Sequence, residues 1–216
     1  MSKVEIEIIG NNIFKAYSSN KYILKNISFE GKNGDIIGIC GPNGSGKSTL
    51  IKIIAGINST TKGSLIWEID GKHLNQDEYF SYFGFVAPYL NIYEEFTPVE
   101  LIKIISNIRR ISFSENKTNE LLELFYLEKH YNKYIRNFSS GMKQRMKLLL
   151  SVLHSPAVLI YDEPTTNLDD IGIQLVNRLI KEQVDKNGIV FLASNNEEEL
   201  RLCNKKIFVN NANKEL

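Results

Sequence analysis

Apolar and polar residues alternate over residues 4–9 and again over residues 22–29, the period of half-buried strands, which predicts short antiparallel strands at both places. Residues 35–40 instead form a nearly continuous apolar run that ends at a glycine-rich turn. Residues 47–55 follow with apolar positions at helical spacing, so strand, loop and helix come in that order. Residues 61–70 read as further strand, closed by the turn signal Asp70-Gly71, and a hairpin follows naturally. In the middle third, over residues 98–111 and 115–127, apolar positions recur every three or four residues, with Pro98 and Ser114 near plausible helix starts. Residues 157–161 and 189–193 are short apolar runs separated by an amphipathic stretch at 171–184, the pattern of buried parallel strands joined through a helix. No internal repeat and no low-complexity tract divides the chain. The expected fold class is α/β with a helical insertion, in one domain spanning residues 1–216.

Composition adds bounds to this picture. With 216 residues, 43% of them hydrophobic and 24% charged, the chain is long enough to bury one substantial core. Lys and Arg total 26 against 25 Asp and Glu, and a net charge of +1 gives no global attraction to nucleic acid or anionic lipid, so no nucleic-acid partner is expected. No apolar run approaches the ~18 residues that a membrane-spanning helix requires, and the opening MSKVEIEIIG is unlike a signal peptide. A soluble chain that stays inside the cell is expected. Cys40 and Cys203 are distant in sequence and have no Cys or His neighbours at metal-ligand spacing, so they read as packed thiols in a reducing compartment.

The chemistry starts at Gly41-Pro42-Asn43-Gly44-Ser45-Gly46-Lys47-Ser48, which satisfies G-x-x-x-x-G-K-[ST] between a predicted strand and a predicted helix. Gly41, Gly44 and Gly46 let the backbone wrap phosphate oxygens closely, where side chains would obstruct the approach. Lys47 is placed to reach the β- and γ-phosphates and the Ser48 hydroxyl to ligate Mg²⁺; with Thr49, this stretch is the expected nucleotide cradle. A glycine-rich turn capping a helix would account for the glycines but requires neither the Lys nor the Ser. Downstream, Val158-Leu159-Ile160-Tyr161-Asp162-Glu163-Pro164 resembles a Walker B segment, an apolar strand that delivers carboxylates to a nucleotide. Asp162 would hold Mg²⁺ through water, and Glu163 would polarise the attacking water as general base. Taken alone, such a pair would read as a strand-end turn; the phosphate loop upstream favours the functional reading.

Between these two motifs lies Phe138-Ser139-Ser140-Gly141-Met142-Lys143-Gln144-Arg145, ahead of a helical run. It resembles the signature of ABC ATPases, usually Leu-Ser-Gly-Gly-Gln; Ser139 and Gly141 match while Phe138, Ser140 and Met142 depart. A small polar N-cap followed by open amides is suited to a phosphate. The order of phosphate loop, helical region, Ser-Ser-Gly and Asp-Glu-Pro is that of ABC ATPases, and Thr165-Thr166-Asn167-Leu168-Asp169 resembles that family's D-loop. The resemblance covers nearly the whole chain. It implies a P-loop NTPase core with an antiparallel β subdomain and a helical signature-motif subdomain over about residues 90–153.

In that family the signature serine completes the ATP site of the opposite subunit. The resemblance therefore implies ATP and Mg²⁺ held between two nucleotide-binding subunits, as a homodimer or beside a homologous chain. Tyr17 matches the aromatic residue that stacks on adenine, Tyr22 is a second candidate, and either could instead be a core tyrosine. Two expected polar residues are missing. Pro88 stands where the family usually has Gln, and Asn195 where a His normally contacts the γ-phosphate. Slow or absent hydrolysis is one consequence; a variant site in which Asn195 takes over is the other, favoured by the intact Lys47, Ser48, Asp162, Glu163 and Ser139. The length resembles small exporter subunits such as those of haem exporters. That likeness implies a subunit on the cytoplasmic face of the membrane, bound to an integral membrane transporter subunit. The aromatic stretch 89–96 would then either receive the membrane partner or pack within the helical subdomain. A soluble or regulatory ABC-type module with weak hydrolysis is the alternative.

Overall fold

The structure is a computed structural model that describes residues 4–18 and 21–210. In chain order the elements are β1 (Ile6–Ser18), β2 (Lys21–Lys32), β3 (Ile36–Cys40), α1 (Lys47–Ile54), β4 (Lys62–Ile69), β5 (Lys72–His73), β6 (Phe83–Val86), α2 (Pro98–Arg109), α3 (Glu115–Leu124), α4 (Ser140–Val152), β7 (Val158–Asp162), α5 (Asp170–Asp185), β8 (Ile189–Ala193), α6 (Glu197–Leu200) and β9 (Lys205–Phe208). A four-stranded antiparallel sheet runs β2-β1-β4-β5, and a five-stranded parallel sheet runs β6-β7-β8-β3-β9.

The parallel sheet is covered on both faces, and the two-residue period of its strands sorts the core into two clusters. Ile37, Ile39, Val158, Ile160, Ile189 and Phe191 pack with Leu50, Ile51 and Ile54 of α1 and with Ile8 and Trp67 of the antiparallel sheet. Their neighbours Leu159, Tyr161, Val190 and Leu192 turn the other way, onto Leu101 and Ile102 of α2, Met146 and Leu149 of α4, and Leu175 and Leu179 of α5. Trp67 ties the antiparallel sheet to α1 by donating its indole N–H to the Ile54 carbonyl at 3.1 Å.

β1 and β2 run well past the alternating segments visible in the sequence. The reason is irregular pairing: the β1–β2 register shifts between Gly10 and Ile13 and again further on, and Asn12 takes a φ of 45°. Each bulge moves side chains to the opposite face and breaks the simple alternation. α3 ends at Leu124, short of the predicted 127. Tyr126 turns to a φ of 58°, and Leu127 folds back to donate its N–H to the Leu122 carbonyl while its side chain stays buried. Thr97 caps α2 in a reciprocal arrangement with Glu100, with Pro98 at the first turn, which accounts for the start that Pro98 signals. No described helix is long and apolar enough to cross a membrane.

Candidate nucleotide site

Neighbouring strands β7, β8 and β3 end on the same edge of the parallel sheet, with Ala193 in register with both Ile39 and Asp162. Their carboxyl ends therefore bring together the loop after Cys40, the Asp162-Glu163 pair and the turn containing Asn195, the position at which such sheets bind ligands. The loop folds as a cradle. A Cβ on Gly41 would lie 2.2 Å from the Val209 carbonyl oxygen, and Gly46, the N-cap of α1, has a φ of 109° that favours glycine. No side chain caps α1, so its first amides are left to a ligand. The Ser45 hydroxyl is buried in this loop without a hydrogen-bond partner, a further polar group turned to no protein atom.

Lys47 is buried, and its ammonium donates to the carbonyls of Gly41 at 2.9 Å and Pro42 at 3.3 Å and to Oδ1 of Asn195 at 2.8 Å. Asn195 in turn donates from Nδ2 to Oδ1 of Asn43 at 2.5 Å. The side chain at the position where a histidine is usual thus bridges two residues of the phosphate loop. Ser48 and Thr49 lie in the first turn of α1.

Asp162 is buried with no hydrogen-bond donor in bonding geometry at either carboxylate oxygen, although the Ser48 hydroxyl lies close beside it. Burial pushes its carboxyl above the usual range, opposed by Ser48 and by the charges of Lys47 and Lys52. An orphaned carboxylate next to a hydroxyl fits a divalent cation. Glu163 has a φ of 48° and donates its backbone N–H to the Ala193 carbonyl at 2.8 Å, a strained conformation that turns its side chain off the end of β7. Burial raises its carboxyl too, with Lys47 acting against the shift.

Ser139 and Gly141 stand apart from this cradle. Ser139 is exposed and caps α4 by accepting from the Met142 N–H at 3.2 Å. The contacts of this helix end run to Glu94, with which Lys143 pairs at 2.7 Å, and to the segment after Glu163. Gln144 donates to the Pro164 carbonyl at 2.7 Å, Arg145 pairs with Asp169 at 2.5 Å, and a Cβ on Gly141 would lie 2.8 Å from the Asn167 carbonyl oxygen. Tyr17 is 61% exposed, and its hydroxyl accepts from Asn58 at 2.9 Å, whereas Tyr22 packs edge-on against Phe14. Pro88 is exposed beyond β6. The residue after it, Tyr89, places its ring 3.8 Å from the Lys52 ammonium on α1. The sequence gives no sign of this approach, because 37 positions separate the two residues. Leu90, Ile92 and Tyr93 line an apolar cleft of about 470 Å³ together with Phe85, Ile105 and Ile108.

The phosphate loop and its place at the end of a parallel sheet define a P-loop nucleotide-binding protein. Comparison with known proteins narrows this: the ABC transporter family matches over residues 24–166, and the chain belongs to that family. It is 34% identical over 186 residues to the bacitracin transport ATP-binding protein BcrA of Bacillus licheniformis, an alignment covering 85% of this chain and 60% of that protein's length. The lantibiotic transport ATP-binding protein SrtF of Streptococcus pyogenes is 32% identical over 183 residues, covering 85% of this chain and 77% of that one. Among solved structures, a dimeric bacterial ABC transporter cassette superposes with a TM-score of 0.82 at 25% identity. A dimeric post-hydrolysis cassette bound to ADP and Pi does so with 0.81 at 26%; each match covers 94% of both chains.

Proposed function

We propose that this chain is the ATP-binding and ATP-hydrolysing subunit of an ABC transporter, driving a separate membrane subunit by closing on ATP as a dimer. The observation that carries the reading is the convergence of Lys47, Asp162, Glu163 and Asn195 at three adjacent strand ends. In this reading the amides of residues 41–49 cradle the phosphates, and Lys47 exchanges its carbonyl partners for phosphate oxygens. Ser48 and Asp162 are the residues that would hold Mg²⁺, whose charge offsets that of the β- and γ-phosphates. Glu163 takes a proton from the attacking water and aims it at the γ-phosphate. Asn195 has a second amide N–H beyond the one given to Asn43, and this donates to the γ-phosphate as charge builds there. Tyr17, open to solvent, supplies the face on which adenine stacks. Ser139, exposed at the start of α4, and Gly141 beside it complete the site of a second nucleotide-binding subunit. The apolar cleft beside α2 receives the membrane subunit, which holds the chain at the cytoplasmic face of the membrane.

The test is Glu163→Gln, which keeps size and hydrogen bonding but removes the base. It is expected to bind ATP, to lose hydrolysis and to accumulate as an ATP-bound dimer on size-exclusion chromatography. Undiminished hydrolysis by the purified variant would remove Glu163 from the mechanism.

A further inference from the structure

Three glutamates in a row, Glu197, Glu198 and Glu199, open α6, and the fold treats the third differently. Glu197 and Glu198 are exposed, whereas Glu199 is only 3% exposed. Its Oε1 accepts a hydrogen bond from the Thr165 hydroxyl, and its Oε2 is buried with no hydrogen-bond partner. Leaving a carboxylate oxygen buried and unpaired is costly, and an apolar side chain of similar size would serve stability at least as well. The contact therefore calls for an explanation other than stability, and its surroundings supply one.

Thr165 follows Glu163 by two residues, in the segment whose Pro164 carbonyl is held by Gln144 of α4. Glu199 sits four residues after Asn195 in one tight turn. That turn is fixed by the Ser194 hydroxyl accepting from the Asn196 N–H at 2.9 Å and by the Asn196 side chain accepting from the Glu198 N–H at 2.9 Å. The same turn thus grips the phosphate loop at one end, through Asn195, and the chain beyond Glu163 at the other, through Glu199.

We propose that Glu199 is a positioning residue for ATP hydrolysis: by holding Thr165 it sets the place of Glu163 relative to Lys47 and Asn195. The inference rests on the functional reading above. Glu199 touches no reacting atom, so its removal disturbs the aim of Glu163 and leaves the phosphate cradle intact, and small misplacements at a reacting centre are amplified in rate.

The experiment compares wild type, Glu199→Leu, Thr165→Val, Thr165→Ser and the Leu/Val double variant. It measures steady-state hydrolysis, affinity for a fluorescent ATP analogue and thermal unfolding. Glu199→Leu and Thr165→Val are each expected to lose about tenfold or more in kcat, with KM and analogue affinity within about twofold of wild type. Thr165→Ser, which keeps the hydroxyl, retains most of the rate, the double variant is no slower than the slower single, and Glu199→Leu melts no lower than wild type. If Glu199→Leu does not fold, the Val and Ser variants at position 165 decide the matter. Unchanged kcat in Thr165→Val overturns the inference alone, and so does a loss of kcat that Thr165→Ser shares. A wild-type chain that binds the analogue but never hydrolyses ATP overturns the functional reading and this inference with it.

Discussion

Replacing Asn195 by Ala removes a carbonyl oxygen that takes one of the N–H donors of Lys47 and an amide that reaches Asn43. In the ground state the loss is small. A hydrogen bond to a charged group such as the Lys47 ammonium is worth about 1.5–3 kcal/mol, but Asn195 is exposed, so water replaces the missing partner and most of that is recovered. Phosphate oxygens compete for the same Lys47 donor, which makes the change in ATP affinity smaller still and places it below about tenfold. The transition state is different. An N–H aimed at the γ-phosphate strengthens as charge develops, and deleting such a donor costs on the order of 10²–10³ in kcat, about 2.7–4 kcal/mol. Asn195→Ala is therefore expected to lose turnover while keeping ATP affinity, the signature of an interaction made mainly in the transition state. The assay is steady-state hydrolysis at saturating Mg-ATP by wild type, Asn195→Ala and Asn195→His, with nucleotide affinity measured separately. An amide does not titrate near neutrality, so this position adds no pH dependence between about 6 and 8, whereas Asn195→His introduces one. Equal turnover in wild type and Asn195→Ala would show that the bridge to the phosphate loop is structural only.

Lys47→Ala should abolish binding of a fluorescent ATP analogue, because the buried ammonium is the cradle's own cation. Mixing inactive Ser139→Arg chains with inactive Lys47→Ala chains should restore about one working site per mixed dimer, read as recovered phosphate release; silence despite mixed-dimer formation would contradict a shared site. Chelating Mg²⁺ with EDTA should stop hydrolysis yet leave the melting temperature of the nucleotide-free chain unchanged, since Ser48 and Asp162 would hold the ion only for the nucleotide. Gly84→Ala should destabilise the fold by roughly 1–3 kcal/mol in urea unfolding, because its Cβ would fall 2.0 Å from the Ser151 carbonyl oxygen where α4 crosses β6.

Much of this protein is legible in its sequence where the physics is local. The phosphate loop is one contiguous stretch whose glycines, Lys47 and Ser48 announce their chemistry by spacing, and an apolar strand leading to Asp162-Glu163 needs only its own pattern to be read. The helices show themselves by period and by caps such as Thr97-Pro98. Short β6 and β9, four residues each, carry too few alternations to stand out and exist because β7 and β3 offer them open edges. The bulges of β1 are likewise invisible, since they follow from pairing with β2 and β4 at once.

The phosphate-loop motif, the carboxylate pair, the α/β class and the departures at Pro88 and Asn195 can all be read from contiguous residues. What those departures face depends on how distant segments pack. Asn195 meets Lys47 across 148 positions because β8 lies beside β3, and Tyr89 meets Lys52 because β6 leads its loop back over α1. That packing also decides which of three identical glutamates is buried against Thr165. Local propensity treats those residues alike, and strand order and packing are set by the burial of surfaces far apart in the chain.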